Sequence, residues 1–413
     1  MRHADRCCDS SLPPIIECTS CGLALAVCHL HIGEDGKPRC FSCFSLLPSE
    51  PCEFAPLHIV KYACTSVLKQ RLAVVILHGL HVCGAARKCL EVISQYADKS
   101  FRVVVIAVGG GGQWFTRFSD HADEIILLRR PTDCLPNPLL AMVTKATIVE
   151  AHYQPAICWA LDNLPTNIPL RIAFHTQPLG VFDDVSLLQQ ILSRNVMIQV
   201  PTEDLKGAYA ALLSGDQRER FIKYTVVCPN VLSRAFCTSS ANDCLQLREY
   251  GSPGHKIGIV TRLDNDKLSV PLLLNTIGEL ATKKPRISVA IAGPGEDSEE
   301  VKQAVRNSSV SRYIKFLGYV DEIEAVYRWA DVLFLPSWTE VMPYAVLEAA
   351  FFKKPTVMPA IGECGRSVPD EYIKTFPPLD HISAASMIIG LLQDKSQYET
   401  RANDKDSIRA FHI

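Results

Sequence analysis

The sequence predicts an α/β protein made of two doubly wound parallel sheets in tandem, preceded by a small cysteine-rich segment. Three observations predict it. Short continuous apolar runs alternate with amphipathic stretches of helical spacing, the pattern of parallel strands covered on both faces. That pattern stops in a stretch of Asn, Asp, Ser, Pro and Gly, Ala241 to Gly254, and restarts at His255. Nine of the 17 cysteines fall between Cys7 and Cys64, ahead of the first strong apolar run.

The first repeat opens with LAVVILHGL, Leu72 to Leu80, a buried strand by its length and β-branching. Ala85 to Tyr96 has helical spacing. Further strands are expected at Phe101 to Gly112, Glu124 to Arg130, Ala146 to Tyr153, Pro169 to Thr176, Asn195 to Thr202 and Lys223 to Asn230. The second repeat places strands at His255 to Leu263, Ile287 to Gly295, Ile314 to Val320, Val332 to Pro336 and Pro355 to Ala360. Helices at Val270 to Thr282, Glu299 to Arg306, Ile323 to Ala330 and Tyr344 to Phe351 separate them. The domains are therefore expected at 63–240 and 255–395, after a segment and linker at 1–56 and before a tail at 396–413. In such sheets ligands bind outside the carboxyl ends of the strands. Two of them in tandem suit a substrate with two distinct halves.

Composition narrows the function. The 413 residues carry 42 Lys+Arg against 44 Asp+Glu, a formal net charge of -2, with 48% hydrophobic residues. That balance suits a globular chain of two or three domains and lacks the basic excess of a general nucleic-acid binder. No apolar run approaches the roughly 20 residues of a bilayer span. Nothing reads as a charged start followed by an apolar export segment. The expectation is a cytoplasmic protein, with peripheral membrane contact as the alternative, although no strongly basic amphipathic helix supports it.

The cysteines suggest a metal. Cys18 and Cys21 form one C-x2-C and Cys40 and Cys43 another, a separation within the roughly 15–20 residues common in zinc sites. Two such turns complete a tetrahedron of thiolates around Zn²⁺. Cys28 and His31 lie between them, either as part of a second site or as plain loop residues. So small a segment would draw much of its folding free energy from the metal. Only Lys37 and Arg39 are basic inside it, which favours a structural cap or a protein-docking role over nucleic-acid binding.

The chemistry gathers at strand ends. Gly109 to Gly112 does not form a G-x-G-x-x-G opening a helix, so a dinucleotide reading is weak. His78, Gly79 and Gly84 form a strand-to-helix loop, either a ligand-binding turn or a plain one. His175 follows a strand directly, and His152 holds the same place one strand earlier. Arg262 and Lys267 sit in TRLDNDK just past a strand, where two cations suit a polyphosphate. Asp264 and Asp266 read as exposed turn residues, because the flanking cations would repel a metal. Glu340 precedes a helix and Glu348 lies eight residues on, on an otherwise apolar helix face. A carboxylate there is costly unless paired or bound. The helix start at Pro343 and Tyr344 offers free N–H groups to an anion.

TRLDNDK, IAGPGED, FLGYVDE and the E-x7-E of Glu340 and Glu348 together resemble the retaining GT-B glycosyltransferases of family GT4, over about Lys256 to Glu363. HGLHVCGAARKCLEVI and the FHT around His175 resemble the same family more loosely. The resemblance implies a GT-B fold, two Rossmann-like domains facing across a cleft, the first for the acceptor and the second for the donor. It implies that Arg262 and Lys267 hold the donor diphosphate and that Glu348 bonds the ribose. Glu340 contacts the donor sugar, and the backbone of Gly318, Tyr319 and Val320 lies against the base. Pro343 and Tyr344 add backbone contacts, Gly84 lets the first loop approach the diphosphate, and His175 approaches the sugar and the attacking face. The partners implied are a nucleotide-sugar donor and a glycan, lipid or small-molecule acceptor, with no catalytic metal. Acceptor contacts are expected in loops such as Gln113 to Phe118 and Gln177 to Asp184. Thr261 and Val341 stand where the family often has glycine, and the first loop, Cys83-Gly84-Ala85, has one glycine where two are usual. Those departures keep one alternative, a degenerate GT-B scaffold or nucleotide-sugar-binding protein with a zinc-dependent docking segment; a second, another enzyme of the same shape, is a nucleotide-sugar epimerase.

Overall fold

The computed structural model describes residues 71–394, apart from 129, 131, 179–183, 195, 233–235, 237–246, 249, 251–252, 285, 296 and 363–367. It also describes strand residues 15–17, 24–26, 31–32, 38–39 and 57–60. The expected zinc ligands Cys18, Cys21, Cys40 and Cys43, together with Cys28 and the tail 396–413, lie outside the described residues. The chain divides into two compact units, Met1–Val200 with Lys206–Val227, and Pro201–Leu205 with Cys228–Ile413.

In the first unit, β1 (Ile15–Glu17) pairs with β2 (Ala24–Ala26), and β3 (His31–Ile32) with β4 (Pro38–Arg39), both antiparallel. The main sheet is built from β5 (Leu57–Val60), β6 (Arg71–Leu77), β7 (Phe101–Ala107), β8 (Glu124–Leu127), β9 (Ile148–His152), β10 (Leu170–Ala173), β11 (Val196–Val200) and β12 (Thr225–Val227). Its order is β12-β11-β10-β9-β6-β7-β8-β5. Only β5 runs antiparallel, along the edge at β8. The connecting helices are α1 (Gly84–Asp98), α2 (Phe115–His121), α3 (Asn137–Val143), α4 (Gln154–Asn163), α5 (Asp184–Leu192), α6 (Glu203–Ala211) and α7 (Gly215–Tyr224).

The second unit holds β13 (His255–Val260), β14 (Ile287–Ala292), β15 (Ile314–Gly318), β16 (Val332–Phe334), β17 (Thr356–Pro359) and β18 (Ile373–Phe376). They form one parallel sheet in the order β15-β14-β13-β16-β17-β18. Its helices are α8 (Val270–Lys283), α9 (Ser298–Arg306), α10 (Glu324–Trp329), α11 (Tyr344–Phe351) and α12 (His381–Gln393).

The apolar pattern explains these elements. In β6 only Arg71 is exposed and the next six residues are buried, because helices cover both faces of a parallel sheet. Ala86, Cys89, Ile93 and Tyr96 recur at helical spacing along α1 and are buried with Val75 and Leu77. In the second unit Leu273, Ile277 and Leu280 of α8 and Ala385 and Ile388 of α12 share a core with Ile257 and Ile259. Leu347 and Ala350 of α11 pack with Leu333 and Met358 in another. Each large apolar side chain so buried contributes about 1.5–3 kcal/mol. Apolar packing thus fixes the sheets, and polar groups are left to the strand ends.

The strands are shorter than the apolar runs. His78 and Leu80 leave the sheet, and their carbonyls accept from Gly109 and Trp114 instead. The stretch Gln113 to Phe118 is not an open loop. From Phe115 it is helix α2, with Phe115 and Phe118 in the core.

Both sheets share one topological device. In the first, β6 to β8 step one way and β9 returns to the other side of β6. In the second, β13 to β15 step one way and β16 returns to the other side of β13. Each reversal opens a crevice at the strand carboxyl ends. His78 follows β6, and His152 ends β9. Arg262 and Lys267 follow β13, and Glu340 follows β16.

Candidate functional site

In the second unit, the loop after β13 is laid against two others by its backbone. Thr261 N–H donates to the Ala292 carbonyl at 3.1 Å and Leu263 N–H to the Pro294 carbonyl at 2.8 Å. This approach requires glycine. Gly293 has φ +146°, and a Cβ there would lie 1.8 Å from the Thr261 carbonyl oxygen. On the other side, Ser269 N–H donates to the Pro336 carbonyl at 2.8 Å and Trp338 N–H to the Lys267 carbonyl at 3.0 Å. Leu268 and Ser337 form an antiparallel bridge. The loops after β13, β14 and β16 are therefore tied together around the switch point.

The side chains follow that lacing. Lys267 Nζ donates to the Thr339 carbonyl at 2.9 Å and lies 2.7 Å from Glu340 Oε2. Glu340 Oε1 is buried with no hydrogen-bond partner. Leaving such an oxygen unsatisfied is costly, so a ligand hydroxyl that donates to it would be favoured. Arg262 Nη1 lies 2.7 Å from Asp264 Oδ2. Asp264 is buried, which corrects the expectation of an exposed turn residue; Asp266 is exposed as expected. The Arg262 side chain stays 42% exposed, so this pair is worth at most about 1 kcal/mol and yields easily to a better anion.

Glu348 lies within α11 and is buried, accepting a hydrogen bond from the Tyr327 hydroxyl of α10. Glu340 and Glu348 thus turn to different partners, Lys267 and Tyr327. Pro343 caps α11 without a side-chain hydrogen bond, so the helix start carries no built-in acceptor ahead of Tyr344. Gly318 sits at φ +67° beside a register shift between β14 and β15, and its carbonyl accepts from Gly293 N–H at 2.8 Å. Tyr319 is exposed and its hydroxyl donates to Asp321 at 2.9 Å, while Val320 is half-buried. Sequence reasoning missed Gly362. Its φ is +69°, and a Cβ there would lie 2.6 Å from the Glu340 carbonyl oxygen, so it buttresses the Glu340–Val341 backbone. A glycine just past a strand was the available signal.

In the first unit, Gly84 is exposed at the first position of α1, where the Cys83 sulfur accepts from Ala86 N–H at 3.4 Å. His175, half-buried, places Nε2 3.0 Å from His152 Nδ1, with the two rings stacked. His152 Nε2 is 3.3 Å from Glu150 Oε1. Tyr96 of α1 donates to Glu150 Oε2 at 2.6 Å, and Arg171 donates to the Tyr96 hydroxyl at 3.2 Å. Burial first, then the neighbouring His152 and Lys88, holds His175 well below the ordinary imidazole range. Burial works to raise the Glu150 carboxyl, but His152, Tyr96 and Arg171 outweigh it and hold it below the usual range. Burial and the Glu150 carboxylate push the Tyr96 phenol up.

Among the described residues no group of three or more His, Cys, Asp or Glu could hold a metal ion. Among them, too, no helix is long and apolar enough to cross a membrane.

The fold and these loops define an α/β protein of two Rossmann-like units whose second sheet presents cations and carboxylates at its switch point. Residues 254–394, which span that sheet, match the family described as "Glycosyl transferases group 1". The chain is 25% identical over 239 residues to the 2-deoxystreptamine glucosyltransferase of Streptomyces kanamyceticus, covering 52% of this chain and 60% of the relative. It thus spans less than two thirds of that protein, and other curated relatives are matched over 24% to 32% of their length. Among solved structures, Anabaena HepE in complex with UDP-glucose aligns with a TM-score of 0.66 at 18% identity, covering 83% of this chain and 96% of that one. Sucrose-phosphate synthase from Thermosynechococcus elongatus aligns with a TM-score of 0.62 at 17% identity, covering 83% and 95%. The fold class is GT-B, and residues 254–394 are similar to a glycosyltransferase group 1 domain.

Proposed function

We propose that the protein is a retaining glycosyltransferase of family GT4 that moves a sugar from a nucleotide-sugar donor to an acceptor hydroxyl. The observation that carries this reading is the lacing of the loops after β13 and β16, where Lys267 rests on Glu340 and on the Thr339 carbonyl. Arg262 and Lys267 hold the donor diphosphate. As the bond from the anomeric carbon to the diphosphate breaks, charge grows on the leaving oxygen, and fixed cations stabilise that state more than the ground state. The acceptor oxygen bonds the anomeric carbon on the same face and passes its proton to the departing diphosphate oxygen. Glu340 Oε1 accepts from a donor-sugar hydroxyl, and Glu348 accepts from the ribose. The backbone of Gly318, Tyr319 and Val320 addresses the base, with Pro343 and Tyr344 at the helix start beside the phosphates. From the first unit, Gly84 addresses the diphosphate and His175 the sugar. The fixed cations supply the charge, so no catalytic metal is required.

UDP-sugars are the donors to try first, because HepE is described as bound to UDP-glucose. The acceptor class is a glycan, a lipid or a small molecule. Transfer is tested by incubating the chain with labelled nucleotide sugars and an acceptor panel, then repeating with Lys267→Ala and Glu348→Ala. Loss of transfer by orders of magnitude in both variants, with the fold kept, is expected. Wild-type turnover in both would overturn the site. Separately, the spacing of Cys18, Cys21, Cys40 and Cys43 supports a structural zinc in the N-terminal segment, which metal analysis of the purified chain tests.

A further inference from the structure

Glu150 and His152 have no role in the donor chemistry above, yet they lie on one face of the same strand. Residues two apart in a strand point to the same side, and β9 aligns Glu150 with Arg171 and His152 with Ala173 on β10. His175, two residues past Ala173, continues that side. Tyr96 reaches the same face from α1. The surroundings are apolar: Val75 and Leu77, which align with Glu150 and His152 on β6, are buried core residues. Glu150 is 2% exposed and His152 0%. A carboxylate and an imidazole there carry a heavy desolvation cost, and Tyr96 and Arg171 are spent to offset it.

The neighbouring charge favours one arrangement of the protons. Glu150 Oε1 lies 3.3 Å from His152 Nε2, too bent for a hydrogen bond, but the carboxylate charge beside that buried nitrogen favours the proton on Nε2. His152 Nδ1 is then a lone pair and accepts from His175 Nε2–H at 3.0 Å. His175 is left with Nδ1 as an acceptor. The order Glu150, His152, His175 has the logic of a carboxylate orienting an imidazole through its far nitrogen, lengthened by one ring.

We propose that Glu150 and His152 are positioning residues for the transfer reaction: they lock His175 in its Nε2–H tautomer, so that Nδ1 is presented as a hydrogen-bond acceptor to a substrate hydroxyl. Glu150 and His152 themselves touch no substrate. Because an acceptor-only nitrogen is required, His175 works as the neutral imidazole, in line with the burial and the His152 and Lys88 neighbours that hold it so. The inference rests on the glycosyltransferase reading for its consequence, but its geometry stands independently.

The experiment uses the full chain with ring-¹⁵N histidine, the His175 signals being assigned by their loss in His175→Gln. In the wild type, His175 Nε2 is expected to be protonated and Nδ1 bare. Glu150→Gln, which keeps the shape, should mix the tautomers. It should lower kcat by about 10²-fold, the low end for a mispositioned acid–base group, and leave KM for the donor and nucleotide affinity unchanged. Glu150→Asp should recover part of kcat. A wild-type His175 carrying its proton on Nδ1 would overturn the proposal even if Glu150→Gln failed to fold. So would Glu150→Gln with an unchanged tautomer and unchanged kcat. A correct tautomer in a protein that transfers no sugar would instead overturn the glycosyltransferase reading and leave the relay standing.

Discussion

The two sheets reverse at the same point of their topology, yet they hold polar groups there in opposite ways. In the second unit the cations are partly exposed, and backbone and glycine hold their loops. Lys267 and Arg262 each rest on a nearby carboxylate that a ligand can displace or share. In the first unit the polar groups are sunk into the sheet: Glu150, His152 and Tyr96 are buried, Tyr96 donates to Glu150, and His152 lies 3.3 Å from the same carboxylate. An anion needs accessible charge in a pre-shaped loop, whereas a single imidazole that must offer one particular nitrogen needs a fixed proton. One topology serves both because packing settles the sheets and leaves the strand ends to chemistry.

The sharpest way to break that contrast is to remove a cation. Lys267→Ala should cut kcat/KM by about 10²–10³-fold, the range for losing one fixed electrostatic donor, and should also lower the melting temperature, because it leaves the buried Glu340 carboxylate without its cation. Steady-state kinetics beside a melting curve reads both. An unchanged kcat/KM in the folded variant would make Lys267 a structural residue only.

The next largest effect falls on the loop. Gly293→Ala should cost about 3 kcal/mol, because its Cβ would strike the Thr261 carbonyl and the backbone would be strained. It should also weaken nucleotide binding by displacing Arg262. Gly318→Ala, where no atom lies within 4 Å, should cost only the about 1–2 kcal/mol of a left-handed alanine. Denaturant titration of both variants checks the ranking, and equal losses would mean that close approach is not what Gly293 supplies.

The smallest effect is on pH. His175 binds its proton less tightly in the folded chain than in the unfolded one. As pH falls through about 6.5, the unfolded chain takes up a proton that the folded one resists, and stability drops. Glu150 is lowered, so its contribution is lost only in more acidic solution. Stability should therefore fall between pH 7 and pH 5, and His175→Gln should flatten that fall in a series of denaturant titrations.

Much of this was legible in the sequence. The strand runs from Leu72 onward, the helix at Ala85 to Tyr96, the helices of the second repeat and the restart at His255 follow from apolar period alone, while the other helices of the first unit did not. Strand ends did not, because the residues after a buried run stay apolar while their backbone turns to a neighbouring loop, as at His78 and Leu80. The edge strands β5 and β18 were missed. β18 has only its first and last residues buried and shows no continuous run. Arg262 and Lys267 were visible as loop cations, but Asp264 was misread, since local charge could not reveal that it is buried against Arg262. The Lys267–Glu340 pair joins distant stretches of chain, and nothing in either stretch names the other. The Glu150 relay did leave a trace, a glutamate and a histidine two apart in an otherwise apolar strand.

The most direct measurement is a thermal-shift series of the wild type and Lys267→Ala with UDP-, GDP- and ADP-sugars. A ligand at about 100 times its Kd adds roughly 2.7 kcal/mol to stability. One class of nucleotide sugar should stabilise the wild type clearly and Lys267→Ala far less. No shift with any of them, or the same shift in both proteins, would contradict a donor site at the β13–β16 switch point.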